Sequence, residues 1–238
     1  MTDLLFSGCT IQSRLPFIEA AFKFIIKKLN IDIEGLPRAT CCMEPVGLRS
    51  MSNKAWLSVN QRMHSSSNGK NIITLCEGCN LSLSESGELI NSDSEVSGTL
   101  QFLFKNLDRI KEKIKAIEGK KVAMFPGCHC EYVCSEKGSS AIDMMESVLK
   151  AIGSEPLPVK RDLCCGGGVT TIDPELDSKI LNEAIDSFKA TGADFVVTSC
   201  PFCFLRFDMA AKYKTYHIAE LVAIAMGFED TTKHHLSK

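Results

Sequence analysis

Asp194-Phe195-Val196-Val197-Thr198-Ser199-Cys200-Pro201-Phe202-Cys203 reads as a short apolar strand that delivers two cysteines at its end. The same phrase occurs earlier as Asn71-Ile72-Ile73-Thr74-Leu75-Cys76-Glu77-Gly78-Cys79. Working outward, each CxxC is preceded by a double cysteine, Cys164-Cys165 with 34 intervening residues and Cys41-Cys42 with 33. Each double cysteine is preceded in turn by a Gly-Cys pair: Gly127-Cys128 at 35 intervening residues and Gly8-Cys9 at 31. Two matches in register indicate an internal duplication.

The local patterns repeat with the cysteines. Leu4–Phe6 and Val122–Phe125 are apolar runs entering the Gly-Cys pairs. A helix is expected after each: Ile18, Ala21, Phe22, Ile25 and Leu29 share one face, as do Ile142, Met145, Val148 and Leu149 within 141–152. Asp173 as N-cap, Pro174 in the first turn and Gly192 as terminator mark another helix, with Leu176, Ile180, Ala184 and Phe188 on its apolar face. Alternating strands and helices predict parallel α/β lobes, with the cysteines at carboxyl ends of strands. Ser82–Thr99, rich in Ser, Glu and Gly, reads as an exposed loop between the copies. Leu100–Ile117 reads as one amphipathic helix, and the lobes divide near residue 118, giving 1–118 and 119–238.

Composition narrows the function classes. A net charge of −2 gives no electrostatic reason to expect nucleic acid or an acidic membrane as partner. The greasiest stretch, Phe17–Leu29, is interrupted by Glu19, Lys23, Lys27 and Lys28, so no membrane insertion is expected. The first residues lack a basic region and a long apolar core, which predicts a cytoplasmic chain rather than an exported one. There, twelve cysteines point to metal binding or redox work rather than structural disulfides. No G-x-G-x-x-G occurs, so neither flavin nor nicotinamide is expected on this chain.

Five thiols per half constrain the metal. Zinc saturates with four ligands, and vicinal cysteines fit poorly into one tetrahedron. A polynuclear iron–sulfur cluster offers several metal atoms, so adjacent thiolates can each find one. The C-x₂-C-x₂-C-x₃-C-P ferredoxin spacing is absent. Thiol–disulfide exchange at Cys200-Pro201-Phe202-Cys203 is a competing reading, but it leaves the other cysteines unexplained. Cys130 and Cys134 belong to neither copy and read as buried neighbouring thiols.

The doubled C-x₃₁₋₃₅-CC-x₃₃₋₃₄-C-x₂-C pattern resembles the cysteine-rich CCG domains of the family of B-type subunits of heterodisulfide reductase. So do Pro126-Gly127-Cys128-His129, Cys164-Cys165-Gly166, Cys200–Asp208 and the segment His217–Gly227. The resemblance implies two duplicated Rossmann-like CCG lobes related by pseudo-two-fold symmetry. It implies two noncubane [4Fe-4S] clusters, one held by Cys9, Cys41, Cys42, Cys76 and Cys79 and the other by Cys128, Cys164, Cys165, Cys200 and Cys203. The family reduces a disulfide, typically that of coenzyme M and coenzyme B, to two thiols. Its electrons come from two partner subunits, one ferredoxin-like with cubane clusters (the C type) and one flavin-bearing (the A type). His129 and His217 are candidate proton donors, and Arg14, Arg161 and Arg206 are candidate receivers of anionic substrate groups. The alternative from another class is an electron-transfer subunit of a quinone-linked complex, without disulfide chemistry.

Overall fold

The computed structural model describes residues 2–115, 119–160, 163–210 and 213–236. In the first half, β1 (Asp3–Phe6) leads into α1 (Cys9–Arg14) and α2 (Pro16–Lys28), and β2 (Ile33–Gly35) follows. A single π-helical stretch (Glu44–Arg49) precedes α3 (Asn53–Ser67), β3 (Ile72–Thr74), α4 (Glu77–Leu89) and β4 (Val96–Gly98). Two short helices, α5 (Thr99–Lys105) and α6 (Leu107–Lys111), lead to the second half. There β5 (Lys121–Phe125), α7 (Cys128–Glu136), α8 (Ala141–Ala151), β6 (Glu155–Pro158), α9 (Pro174–Thr191), β7 (Phe195–Thr198), α10 (Pro201–Met209), β8 (Thr215–His217) and α11 (Ile218–Ala225) repeat the plan.

Each half carries one four-stranded, wholly parallel sheet, ordered β2-β1-β3-β4 and β6-β5-β7-β8. In both, the chain leaves the first strand to one side and returns on the other. That reversal opens a crevice at the carboxyl ends of the two central strands. Cys9 and Cys76 emerge from one such pair, β1 and β3; Cys128 and Cys200 emerge from the other, β5 and β7. The duplication legible in the cysteine spacing is therefore a duplication of the fold.

A shared core ties the halves together. Phe22 and Ile25 of α2, Leu103 of α5, Val148 of α8 and Val222 of α11 belong to one buried cluster. Smaller clusters lie behind each thiol set, and Phe202 packs against both. Among the described residues no helix is long and apolar enough to cross a membrane.

Two expectations fail. Ser82–Thr99 is not an exposed loop: α4 runs to Leu89, β4 adds an edge strand, and Ser82, Ser86 and Gly87 are buried. Small residues permit this close packing; a Cβ on Gly87 would meet the His64 ring at 3.0 Å. The serines find partners, Ser82 on the Cys42 carbonyl and Ser86 on that of Leu83. Leu100–Ile117 is not one helix either. Asn106 interrupts it, returning its Nδ2 to the Phe102 carbonyl at 2.9 Å. The end of that stretch lies outside the described residues. The α9 helix forms as expected, with Asp173 Oδ1 accepting from Glu175 N and Leu176 N. Its buried face is turned, however, with Leu176 exposed and Asp177 buried.

Candidate metal centre

Every thiol of the two sets reaches the crevice from a strand end, a helix start or the loop between. Gly8 (φ +82°) and Gly127 (φ +95°) turn the chain from strand into helix, placing Cys9 and Cys128 in the first turns of α1 and α7. A Cβ on Gly8 would stand 3.2 Å from Cys79 Sγ, and one on Gly127 3.4 Å from Cys203 Sγ. Only glycine combines that backbone with that approach. Cys76 and Cys200 are the N-caps of α4 and α10, with Cys79 and Cys203 one turn in. The positive end of each helix favours thiolate there.

Exposure is graded alike in both sets. Cys9, Cys128 and Cys164 are exposed and Cys41 is half-buried, while Cys42, Cys76, Cys79, Cys165, Cys200 and Cys203 are buried. The sulfurs form a row. Cys9 Sγ lies 3.5 Å from Cys41 Sγ, and Cys42 Sγ lies 3.1 Å from Cys79 Sγ. Cys76 neighbours both Cys79 and, across the halves, Cys200, and each of these thiols shifts its ionisation. The row continues through Cys203, Cys165 and Cys164 to Cys128. It reads the same from either end, with its midpoint at Cys76 and Cys200.

Crowded thiols dominate one another's ionisation. The Cys200 side chain and burial hold Cys76 well above the usual thiol range. Cys42 and Cys76 do the same to Cys79, and Cys165 and Cys200 to Cys203. Cys200 is pulled down, first by Cys203 and then by Cys76. Cys164 is pulled down, first by Cys128 and then by Cys165. Adjacent thiols hold one another's protons; a cation set among them would displace those protons and remove the cost of burying several thiolates. The 3.1 and 3.5 Å separations are far beyond an S–S bond, and all twelve cysteines are free. Among the described residues no three Cys, His, Asp or Glu side chains converge as a site for one ion. Two soft-donor sets of five, laid out in a row, fit a polynuclear sulfide-bridged cluster in each half.

The remaining candidates part company. His129 is half-buried beside Cys128 and adds to the lowering of Cys200, behind the neighbouring thiols. His217 is fully buried as the N-cap of α11: Nε2 donates to the Ser199 carbonyl at 2.9 Å and Nδ1 accepts from Ala219 N at 3.3 Å. Burial keeps its ring neutral, and both nitrogens are held by backbone, so its place is structural. Arg14 is exposed, with Nη2 3.9 Å from Met209 Sδ. Arg206 turns inward, its Nη2 pairing with Asp177 at 2.5 Å and its Nε donating to the Cys165 carbonyl. Arg161 lies outside the described residues. Cys130 and Cys134 are buried neighbours, as read from the sequence.

Sequence reasoning missed Glu77. It is 1 % exposed, Oε2 accepts from Asn80 Nδ2 at 3.0 Å, and desolvation pushes its carboxyl up to about 8. Its signal was available: an acid stands directly after the first cysteine of one CxxC, where the other copy has Pro201.

The model of the cysteine-rich domain called CCG matches residues 4–84 and again 122–208. The B-type subunit of a ferredoxin/F420H2-dependent CoB-CoM heterodisulfide reductase from Methanosarcina acetivorans is 28% identical, spanning 94% of this chain and 89% of that protein. The 8-methylmenaquinol:fumarate reductase membrane anchor subunit of Wolinella succinogenes is 26% identical over 93% of this chain and 91% of its own. A crystal structure of a hypothetical protein from Helicobacter pylori superposes with a TM-score of 0.67 at 12% identity, covering 100% of this chain and 52% of that one. It supports the fold alone.

Proposed function

The chain belongs to the CCG family of cysteine-rich domains, and on that premise we propose that it is the disulfide-reducing subunit of a heterodisulfide-reductase-type complex. The observation that carries the reading is the row of ten thiols, divided five and five about Cys76 and Cys200. Cys9, Cys41, Cys42, Cys76 and Cys79 hold one noncubane [4Fe-4S] cluster, and Cys128, Cys164, Cys165, Cys200 and Cys203 hold the other. Bound there, the clusters supply single electrons and soft Lewis-acid iron to a sulfur–sulfur bond.

The chain's residues supply the rest. Cys9, Cys128 and Cys164 lie at the surface end of each set, where a small-molecule disulfide has access. The buried CxxC pairs meet at the centre of the row, where water is excluded and charge is felt strongly. His129, half-buried in the first turn of α7 beside Cys128, is the residue to which this reading assigns the proton given to a departing thiolate. The likeness to the Methanosarcina protein extends the proposal to a coenzyme M–coenzyme B type of disulfide, with electrons delivered in the cytoplasm by cubane-cluster and flavin-bearing partner subunits. Each thiol set belongs to one lobe, 1–118 or 119–238.

The Wolinella relative favours a second reading, an electron-transfer subunit serving a quinone-linked partner without disulfide chemistry. Spectroscopy of the oxidised, anaerobically purified chain separates the two. A thiol that changes the paramagnetic signal of the oxidised protein supports disulfide chemistry at the clusters. Clusters indifferent to every thiol offered would leave the electron-transfer reading standing.

A further inference from the structure

The residue three places after each CxxC is Ser82 in one half and Arg206 in the other, a pair with no chemical likeness in sequence. Both donate to the same atom of their own half, the carbonyl oxygen of the second vicinal cysteine. Ser82 Oγ reaches Cys42 O at 2.9 Å, and Arg206 Nε reaches Cys165 O at 3.4 Å. The position follows from helix geometry, because residues 82 and 206 stand one turn beyond Cys79 and Cys203 and on the same face. Each contact therefore ties the loop that carries two thiols to the helix that carries two more.

The surroundings show that both contacts are built. In the first half, Trp56 Nε1 donates to Ser82 Oγ at 2.7 Å, and Asn60 Nδ2 adds a second bond to Cys42 O at 3.1 Å, all of it buried and uncharged. In the second, Arg206 Nη2 pairs with Asp177 Oδ1 at 2.5 Å, and Thr170 Oγ1 donates to the same oxygen at 3.3 Å. Gly166, with φ +79°, passes beneath this pair; a Cβ there would stand 2.7 Å from Asp177 Oδ1. The loop after Cys165 closes on the clamp only because residue 166 has no side chain.

We infer that Ser82 and Arg206 are equivalent positioning residues, each locking the double-cysteine loop onto the CxxC helix so that four of the five thiols are held as one frame. The first half builds the lock from neutral hydrogen bonds and the second from an ion pair. The inference rests on the cluster reading of the two thiol sets. It also assigns Arg206 to the protein's own backbone rather than to a substrate anion.

The test uses the full chain loaded anaerobically with iron and sulfide. Cys42→Ala and Cys165→Ala first identify which paramagnetic signal belongs to which set. Arg206→Met combined with Asp177→Asn removes the second lock without stranding a charge, and should abolish the signal that Cys165→Ala abolishes, with about half the iron lost. Ser82→Ala should weaken the other signal and spare this one. Arg206→Lys, which keeps a donor, should retain more iron than the double variant. Variants that keep both signals and full iron, lose both signals together, or lose their circular-dichroism spectrum would overturn the clamp. A wild-type chain that takes up no iron and sulfide would instead overturn the cluster reading beneath it.

Discussion

The two halves share a strand order, five thiols and a glycine turn, yet they are packed with different chemistry. Behind the first set lie neutral hydrogen bonds among Trp56, Asn60 and Ser82, and a buried acid, Glu77. Behind the second lie the Arg206–Asp177 pair and three edge-on rings, Phe125, Phe188 and Phe207, with centroids 4.9 to 5.7 Å apart. The crevices differ as well. Beside Gly8 the cavity is about 150 Å³ and lined by Gln12, Glu19 and Lys23 among others. Beside Gly127 it is about 430 Å³, with Cys128 and Cys164 in its wall. Strand order and two glycines place the Gly-Cys and CxxC thiols alike in both halves, while the side chains that hold the double-cysteine loops have diverged.

The largest test of that equivalence removes a ligand from each half in turn. Cys42→Ala and Cys165→Ala should each cost about half the bound iron and sulfide, leaving the opposite set loaded. Loss of all iron from either single variant would make the halves one site rather than two. Next come the packings that differ. Phe207→Ala and Trp56→Ala should each destabilise by about 4 kcal/mol in urea unfolding, since both side chains are fully buried. A negligible loss at Trp56 would show that the first half does not depend on its indole anchor.

The glycine turns come third. Gly8→Ala and Gly127→Ala should cost about 1–3 kcal/mol each, because φ is positive with ψ near 150°, with slower cluster loading in the half concerned. Unchanged loading would mean that the close approach to Cys79 and Cys203 is not needed. The smallest effect concerns acid. Burial lowers the His64 pKa below its ordinary value, and the neutral ring donates to Leu83 O and accepts from Ser92. The unfolded chain binds this proton at the higher pH, so the His64 contribution to stability is full above about 6.5 and falls as the pH drops below it. His64→Gln should flatten part of that decline in urea midpoints; His217, which burial also keeps neutral, adds a contribution of the same sign, and Glu77, pushed up to about 8, one of the opposite sign. An acid response identical to wild type would show that His64 plays no part in it.

The placement of the Gly-Cys and CxxC thiols was legible in the sequence from their spacing: β1, β3, β5 and β7 end where those signatures place them. Polar packing was hidden. Ser82 and Ser86 look like loop residues until α3 supplies partners for them, and Leu176 looks like core until Arg206 draws Asp177 inward. Arg206 and His217 carried functional promise as residue types. Their commitments to Cys165 O, Asp177 and Ser199 O depend on contacts distant in sequence, which periodicity cannot register.

The most direct test of two equivalent cluster sites is an iron and sulfide count on the anaerobically purified chain, read with its electron paramagnetic resonance. Two such sites predict about four irons and four sulfides per five-cysteine set, and separate signals lost one at a time in Cys42→Ala and Cys165→Ala. Zinc in place of iron, or a count that fills only one set, would contradict them.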